Sequence, residues 1–250
     1  PGAGTERVRL DAQAWWAFVS ARAVPGAEVC AQASVRRALR VEGRSVEGRS
    51  VEGRVVEVTV DLADGQAALH GPPGALDALR RWVGGDRSGE LPSDPLLDPL
   101  VSARPLLTVP GAVDGAELAL KTVLGQQVSV PAARTLAGRL ASLLGDRAGD
   151  LLTFPVPAAV ADAGPDVVRG IGLTGARAAT VVPLARALAD GLDLSPAGDH
   201  GAARRALASL PGIGPWTVEY VALRALRDLD AFPAHDLVLR RMMGGLSPAQ

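Results

Sequence analysis

The pattern of apolar and polar positions changes character about a third of the way along this chain. Over the first hundred residues, period-two stretches dominate. Arg7-Val-Arg-Leu10, Val35 to Val41, Arg54 to Leu62 and Ala67 to His70 each read as a strand, with Ala63-Asp-Gly65 as a hairpin turn between the last two. Two stretches of helical spacing accompany them. Asp11 can cap a helix carrying Trp15, Trp16, Phe18 and Val19, and Pro72 to Val83 puts Leu76, Leu79 and Trp82 on one face. Gly84 to Ser93 reads as a linker, and beyond it the period is helical throughout. Helices are predicted over Asp94–Ala103, Asp114–Val128, Ser129 to about Leu144, Thr174–Leu188, Gly201–Ser209 and Pro215 to about Arg227, with breaks at Gly164-Pro165 and Gly170-Ile-Gly172. The predicted class is α+β: a small mixed α/β domain with an antiparallel sheet over residues 1–90, then an all-helical region over 91–250.

Composition narrows this picture. Hydrophobic residues make up 48% of the 250, enough for a sizeable core and too many for a disordered chain. No apolar run approaches the roughly 20 residues that span a bilayer, so no membrane partner is expected, and no signal peptide is visible; a cytoplasmic monomer fits. Cys30 is the only cysteine, which excludes an internal disulfide, a four-cysteine zinc site and a cysteine-held iron–sulfur cluster. No His/Cys/carboxylate spacing suggests another catalytic metal. Net charge is −1, so any nucleic-acid affinity must come from a local feature and not from bulk charge. The tandem Val-Glu-Gly-Arg-Ser repeat across residues 41–54 reads as an expanded hairpin tip without chemistry.

The chemistry concentrates around Leu210-Pro-Gly-Ile-Gly-Pro-Trp-Thr-Val-Glu-Tyr220 and Asp236. The helix before it is expected to turn Arg204 and Arg205 outward. Gly212 and Gly214 allow a tight turn with φ > 0 on either side of Ile213. Pro215 suits the first position of the next helix. The amides of Gly212, Gly214 and Trp216 are then left facing outward, where a phosphate oxygen can accept from them. By themselves these residues also fit an ordinary helical hairpin. Asp236 alone could simply cap the Leu237-Val-Leu-Arg-Arg helix, and Trp216 with Tyr220, four residues apart, could be a core pair.

The full string resembles the helix–hairpin–helix, Gly/Pro-rich-loop, Asp superfamily of DNA base-excision glycosylases. Gly-Pro-Trp-Thr-Val-Glu-Tyr and Phe-Pro-Ala-His-Asp are similar to the DNA-3-methyladenine glycosylase II type, and the likeness runs over nearly the whole chain. It implies a monofunctional enzyme that flips alkylated purines such as 3-methyladenine or 7-methylguanine out of duplex DNA and hydrolyses the N-glycosidic bond. Asp236 becomes the catalytic carboxylate. Phe18, Trp216, Tyr220 and Leu237 line the base pocket, with Leu237 standing where some relatives carry an aromatic. Gln127, within Gly125-Gln-Gln-Val-Ser129, falls at the position that wedges into the vacated stack, and Gly212, Ile213, Gly214 and Thr217 belong to the DNA-binding hairpin. No cofactor is required. A structural Na⁺ or K⁺ held by the carbonyls of Ala208, Leu210 and Ile213 is implied at the hairpin.

Bifunctional relatives carry a lysine two residues past the second hairpin glycine, where this chain has Trp216; its sole lysine is Lys121. No Schiff base at that position is therefore expected. The family also continues with helices after the Asp236 helix, so the glycosylase region reads as truncated near Gln250. Some relatives are fused behind an alkylation-response regulator, which could precede Pro1 here. The competing reading is a helix–hairpin–helix module that binds or senses alkylated DNA without catalysis.

Overall fold

The structure, a computed structural model, describes residues 4–41, 54–84, 93–95, 97–242 and 244. Residues 42–53 of the Val-Glu-Gly-Arg-Ser repeat lie outside the described residues, as do the linker stretch 85–92 and Ser247-Pro-Ala-Gln250. In chain order the elements are β1 (Gly4–Arg9), α1 (Ala12–Ser20), β2 (Glu28–Ala31), β3 (Ser34–Val41), β4 (Arg54–Ala63), β5 (Gln66–Gly71), α2 (Pro73–Val83) and α3 (Asp98–Ala103). There follow α4 (Gly115–Leu124), α5 (Val130–Leu144), β6 (Arg147–Ala148), β7 (Leu151–Leu152), α6 (Pro157–Arg169), α7 (Gly175–Ala189), α8 (His200–Ser209), α9 (Pro215–Val221) and α10 (Leu237–Met242). One wide π-type turn, Ala222–Leu226, prolongs α9. The elements divide into two compact units: Pro1–Val113 with Ser129–Pro155, and Asp114–Val128 with Val156–Gln250.

The first unit is an antiparallel sheet of order β1-β5-β4-β3-β2 packed against α1 and α2. The alternation of β3 and β4 sends Val35, Leu39, Val58 and Val60 into one core with Leu69, Leu79, Trp15 and Trp82. Each such side chain contributes roughly 1.5–3 kcal/mol when fully buried. Trp15 and Trp82 meet edge to face, with centroids 5.1 Å apart. Asp11 caps α1 as its sequence suggests, accepting from the Ala14 amide at 2.9 Å. One ion pair is sealed inside. Arg37 on β3 lies opposite Glu28 on β2 and donates to Oε1 at 2.7 Å, while Oε2 accepts the Val24 amide at 2.8 Å. The short β6–β7 ribbon is stitched to β3 by Arg36 with Asp150 and by Arg40 with Asp146.

The second unit is helical. Its densest packing joins α6 to α7, and α4 packs on α7 and α9. Asp114, Thr174 and Asp199 cap α4, α7 and α8 by accepting the third amide on.

Several expectations are corrected. β2, β6 and β7 add to the expected elements: Glu28-Val-Cys-Ala31 lacks apolar–polar alternation, and the two-residue β6 and β7 are too short to show a period. α3 begins at Asp98 and not Asp94, and α4 ends at Leu124 and not Val128, because Gln127 adopts a left-handed φ of 55°. The expected break at Gly164-Pro165 is present inside the span of α6. Gly164 (φ 76°, ψ 172°) makes a kink between two helical pieces, which its lack of Cβ permits.

Candidate active site

The hairpin forms because α8 stops at Ser209, Leu210 turns extended, and the Ile213 amide closes on the Leu210 carbonyl at 3.2 Å. Gly212 has φ 78°, and a Cβ there would stand 2.0 Å from Thr180 Oγ1, so glycine is required twice over. Gly214 corrects the expectation: its φ is −94°, open to any residue, and a Cβ would meet no atom of the described residues within 4 Å. Pro215 opens α9 as predicted. Ile213 and Thr217 are buried, so at these two positions the side chains face the unit's interior.

Gln126, which sequence reasoning passed over, ties the turn after α4 to this hairpin. Its Nε2 donates to the Gly212 carbonyl at 3.0 Å and to Thr217 Oγ1 at 3.2 Å, and its main-chain carbonyl accepts from Arg177 at 2.8 Å. Its neighbour Gln127 is exposed.

Asp236 and Trp216 are brought together. Trp216 Nε1 donates to Asp236 Oδ2 at 2.9 Å, while Oδ1 accepts the amides of Val238 (2.8 Å) and Leu239 (3.1 Å). The capping role is therefore real, and Oδ2 keeps one lone pair beyond its bond to the indole. Burial pushes the carboxyl up, but the Leu239 amide, the Trp216 indole and the Val238 amide outweigh it and hold Asp236 below the usual carboxylate range. It is ionised at neutral pH.

Trp216 and Tyr220 stack, centroids 5.0 Å apart and planes 21° off parallel. Arg224, buried in the π-type turn, donates to the Tyr220 hydroxyl at 2.6 Å, with its guanidinium 5.2 Å from the ring centre. Leu237 is 66% exposed beside Asp236. Phe18 belongs to the first unit, on α1, where the Arg22 guanidinium covers its ring at 3.9 Å. Among the described residues no group of three or more His, Cys, Asp or Glu could hold a metal ion. No described helix is long and apolar enough to cross a membrane. Lys121 sits on α4, paired with Glu117 at 3.1 Å.

Arg204 overturns its outward reading. It reaches Glu219 on α9 and Asp228 after the π-type turn (2.7 Å), while Arg205 is exposed as expected. The i, i+15 and i, i+24 separations leave no periodic trace, so sequence alone could not pair them.

Comparison with known proteins accords with this geometry. Residues 120–249 match the HhH-GPD superfamily base excision DNA repair protein family, and residues 6–114 match the AlkA N-terminal domain. The chain is 33% identical over 243 residues to DNA-3-methyladenine glycosylase 2 of Escherichia coli, covering 93% of this chain and 83% of that protein. It is 38% identical over 256 residues to the probable bifunctional transcriptional activator/DNA repair enzyme AlkA of Mycobacterium tuberculosis, covering 95% of this chain and 50% of that longer protein. The 3-methyladenine DNA-glycosylase structure from Archaeoglobus fulgidus superposes with a TM-score of 0.77 at 23% identity, over 98% of this chain and 86% of that one, which bears on the fold. The chain belongs to the HhH-GPD superfamily of base excision DNA repair proteins.

Proposed function

We propose that this protein is a monofunctional DNA glycosylase that excises alkylated purines of the 3-methyladenine and 7-methylguanine type from duplex DNA. The observation that carries the reading is the 2.9 Å bond from Trp216 Nε1 to Asp236 Oδ2, which fixes an ionised carboxylate at the edge of an aromatic ring. Rupture of an N-glycosidic bond builds positive charge on the deoxyribose. A carboxylate already ionised and held by three donors gains interaction as that charge grows, and so favours the transition state without reorganising. Asp236 also serves to orient the attacking water.

The base must leave the stack to be reached. Trp216, backed by Tyr220, offers it a face, and an aromatic face attracts the cationic ring of an alkylated purine. Leu237 follows Asp236 in the chain, and the resemblance alone assigns base recognition to Leu237 and Phe18. Exposed Gln127 is the wedge for the vacated stack. The hairpin amides at Gly212, Gly214 and Trp216 grip a backbone phosphate, which positions without reading sequence. Open space at Gly214 supports this: nothing within the protein calls for glycine there, but close approach of a phosphate to its amide would.

The carbonyls of Ala208, Leu210 and Ile213 suit a Na⁺ or K⁺ ion. They are neutral oxygens at a helix end, although Leu210 already accepts one amide. Such an ion would supply positive charge to the gripped phosphate. Trp216 stands where an amine nucleophile would be needed, and Lys121 is engaged on α4, so hydrolysis leaves an abasic site and an unbroken strand. Action as a cytoplasmic monomer, and attachment behind an alkylation-response regulator, are parts of the same proposal; the longer M. tuberculosis relative is named a transcriptional activator as well as a DNA repair enzyme.

Incubation with methylated duplex DNA tests the reading. The parent releases 3-methyladenine, Asp236→Asn releases it about 10²–10³-fold more slowly, and no nick forms before alkali. Parental rates in the variant would leave a binding module, and spontaneous nicking would end the monofunctional assignment.

A further inference from the structure

We infer that Glu219, held by Arg204, is a positioning residue for the loop that carries Asp236; this rests on the catalytic role proposed for that carboxylate. Glu219 lies three residues beyond Trp216 on α9, and both reach the same loop. Trp216 holds the Asp236 side chain, and Glu219 Oε2 accepts the Phe232 amide at 3.1 Å. From Phe232 the loop has no slack. The Ala234 amide bonds to the Phe232 carbonyl and the Asp236 amide to the Pro233 carbonyl, each at 2.8 Å, and the Pro233 ring fixes its φ. A shift of the Phe232 amide is therefore passed on to Asp236.

Glu219 is itself braced. One Arg204 nitrogen donates to its Oε1, and the other donates to Asp228 Oδ2 at 2.7 Å, where the loop begins. Asp228 Oδ1 in turn accepts the Asp230 amide at 3.1 Å. One guanidinium on α8 thus fixes a carboxylate on α9 and the first turn of the Asp236 loop. The three side chains are 20–27% exposed. Pairs this accessible contribute little to global stability, so their main effect is on geometry. Misplacing a catalytic group by about 1 Å can cost 10²-fold in rate.

The test measures the first-order excision rate at saturating enzyme, the affinity for an abasic-site duplex and the melting temperature. It compares parent, Glu219→Ala and Glu219→Gln. Glu219→Ala is expected to lower the rate on the order of 10- to 100-fold, with duplex affinity within about twofold of the parent. Glu219→Gln keeps an acceptor for the Phe232 amide but turns its NH2 toward Arg204 and loses that brace, so it recovers part of the loss. A parental rate in Glu219→Ala overturns the inference. So does a Gln variant no better than Ala, or a loss shared equally by rate and affinity. A parent that releases no base overturns the functional reading itself, and the inference with it.

Discussion

In the first unit the deepest charges are shut away. Glu28 and Arg37, whose side chains are 2–3% exposed, face each other across adjacent strands, and both carboxylate oxygens serve the fold. In the second unit Arg204, Glu219 and Asp228 stay 20–27% exposed, and Asp236 is likewise half-buried; their bonds run to a loop. The contrast separates two uses of the same chemistry. A sealed pair stabilises by mutual satisfaction and has no free edge to offer a substrate. A half-open cluster stabilises weakly but holds a carboxylate in place, ionised and reachable. Because the Asp236 carboxyl lies below its ordinary value in the folded protein, its contribution to stability is present above the unfolded carboxylate pKa. It is lost only as pH falls through the lowered value.

Breaking the sealed pair should have the larger thermodynamic effect. Arg37→Leu leaves Glu28 charged in the core without its guanidinium, which is expected to cost about 3–5 kcal/mol in urea-monitored unfolding. Adding Glu28→Leu should return much of that loss, since a well-packed apolar pair replaces a buried ion pair at little cost. Failure of the second substitution to recover stability would mean that Glu28 acts chiefly through the Val24 amide. The comparable truncation in the half-open cluster, Glu219→Ala, should instead appear in rate.

The same contrast explains what was legible beforehand. The sheet of the first unit was readable because β3, β4 and β5 are each long enough to show alternation, and the two main helices announced themselves by Asp11, Pro72 and Trp82. Hairpin, Asp236 and the Trp216–Tyr220 stack were readable because each depends on spacing within a few residues or on a motif string. What escaped was tertiary. Gln126 reaching Gly212 spans 86 residues, and Arg204 reaching Asp228 spans 24; no local period encodes either bond. Gly214 was misread for a subtler reason: a glycine can be placed for what approaches it and not for its own φ.

That distinction yields a finer pair of substitutions at the hairpin. Gly212→Ala combines a left-handed φ with a Cβ 2.0 Å from Thr180 Oγ1, and should cost about 1–3 kcal/mol in stability. Gly214→Ala meets nothing, so its stability should stay within about 0.5 kcal/mol of the parent. Its affinity for an abasic duplex should nonetheless fall, because the new methyl stands where the phosphate would approach. Unchanged affinity in Gly214→Ala would remove that amide from the proposed grip.

The smallest expected effect on the fold lies at Gln127, the residue held at φ 55° while exposed. A non-glycine residue in that region carries strain, and glycine relieves it at some entropic cost in the unfolded chain, for a net change of no more than about 1 kcal/mol. Gln127→Gly should therefore melt at or slightly above the parental temperature. Gln127→Ala keeps the strained backbone and should melt at or just below it. If the side chain fills the gap left by an extruded base, both variants lose excision rate alike although their stabilities move apart. If Gly alone loses rate, the left-handed turn matters for its stiffness and the wedge role falls. If neither loses rate, extrusion depends on the hairpin grip, and Gln127 merely ends α4.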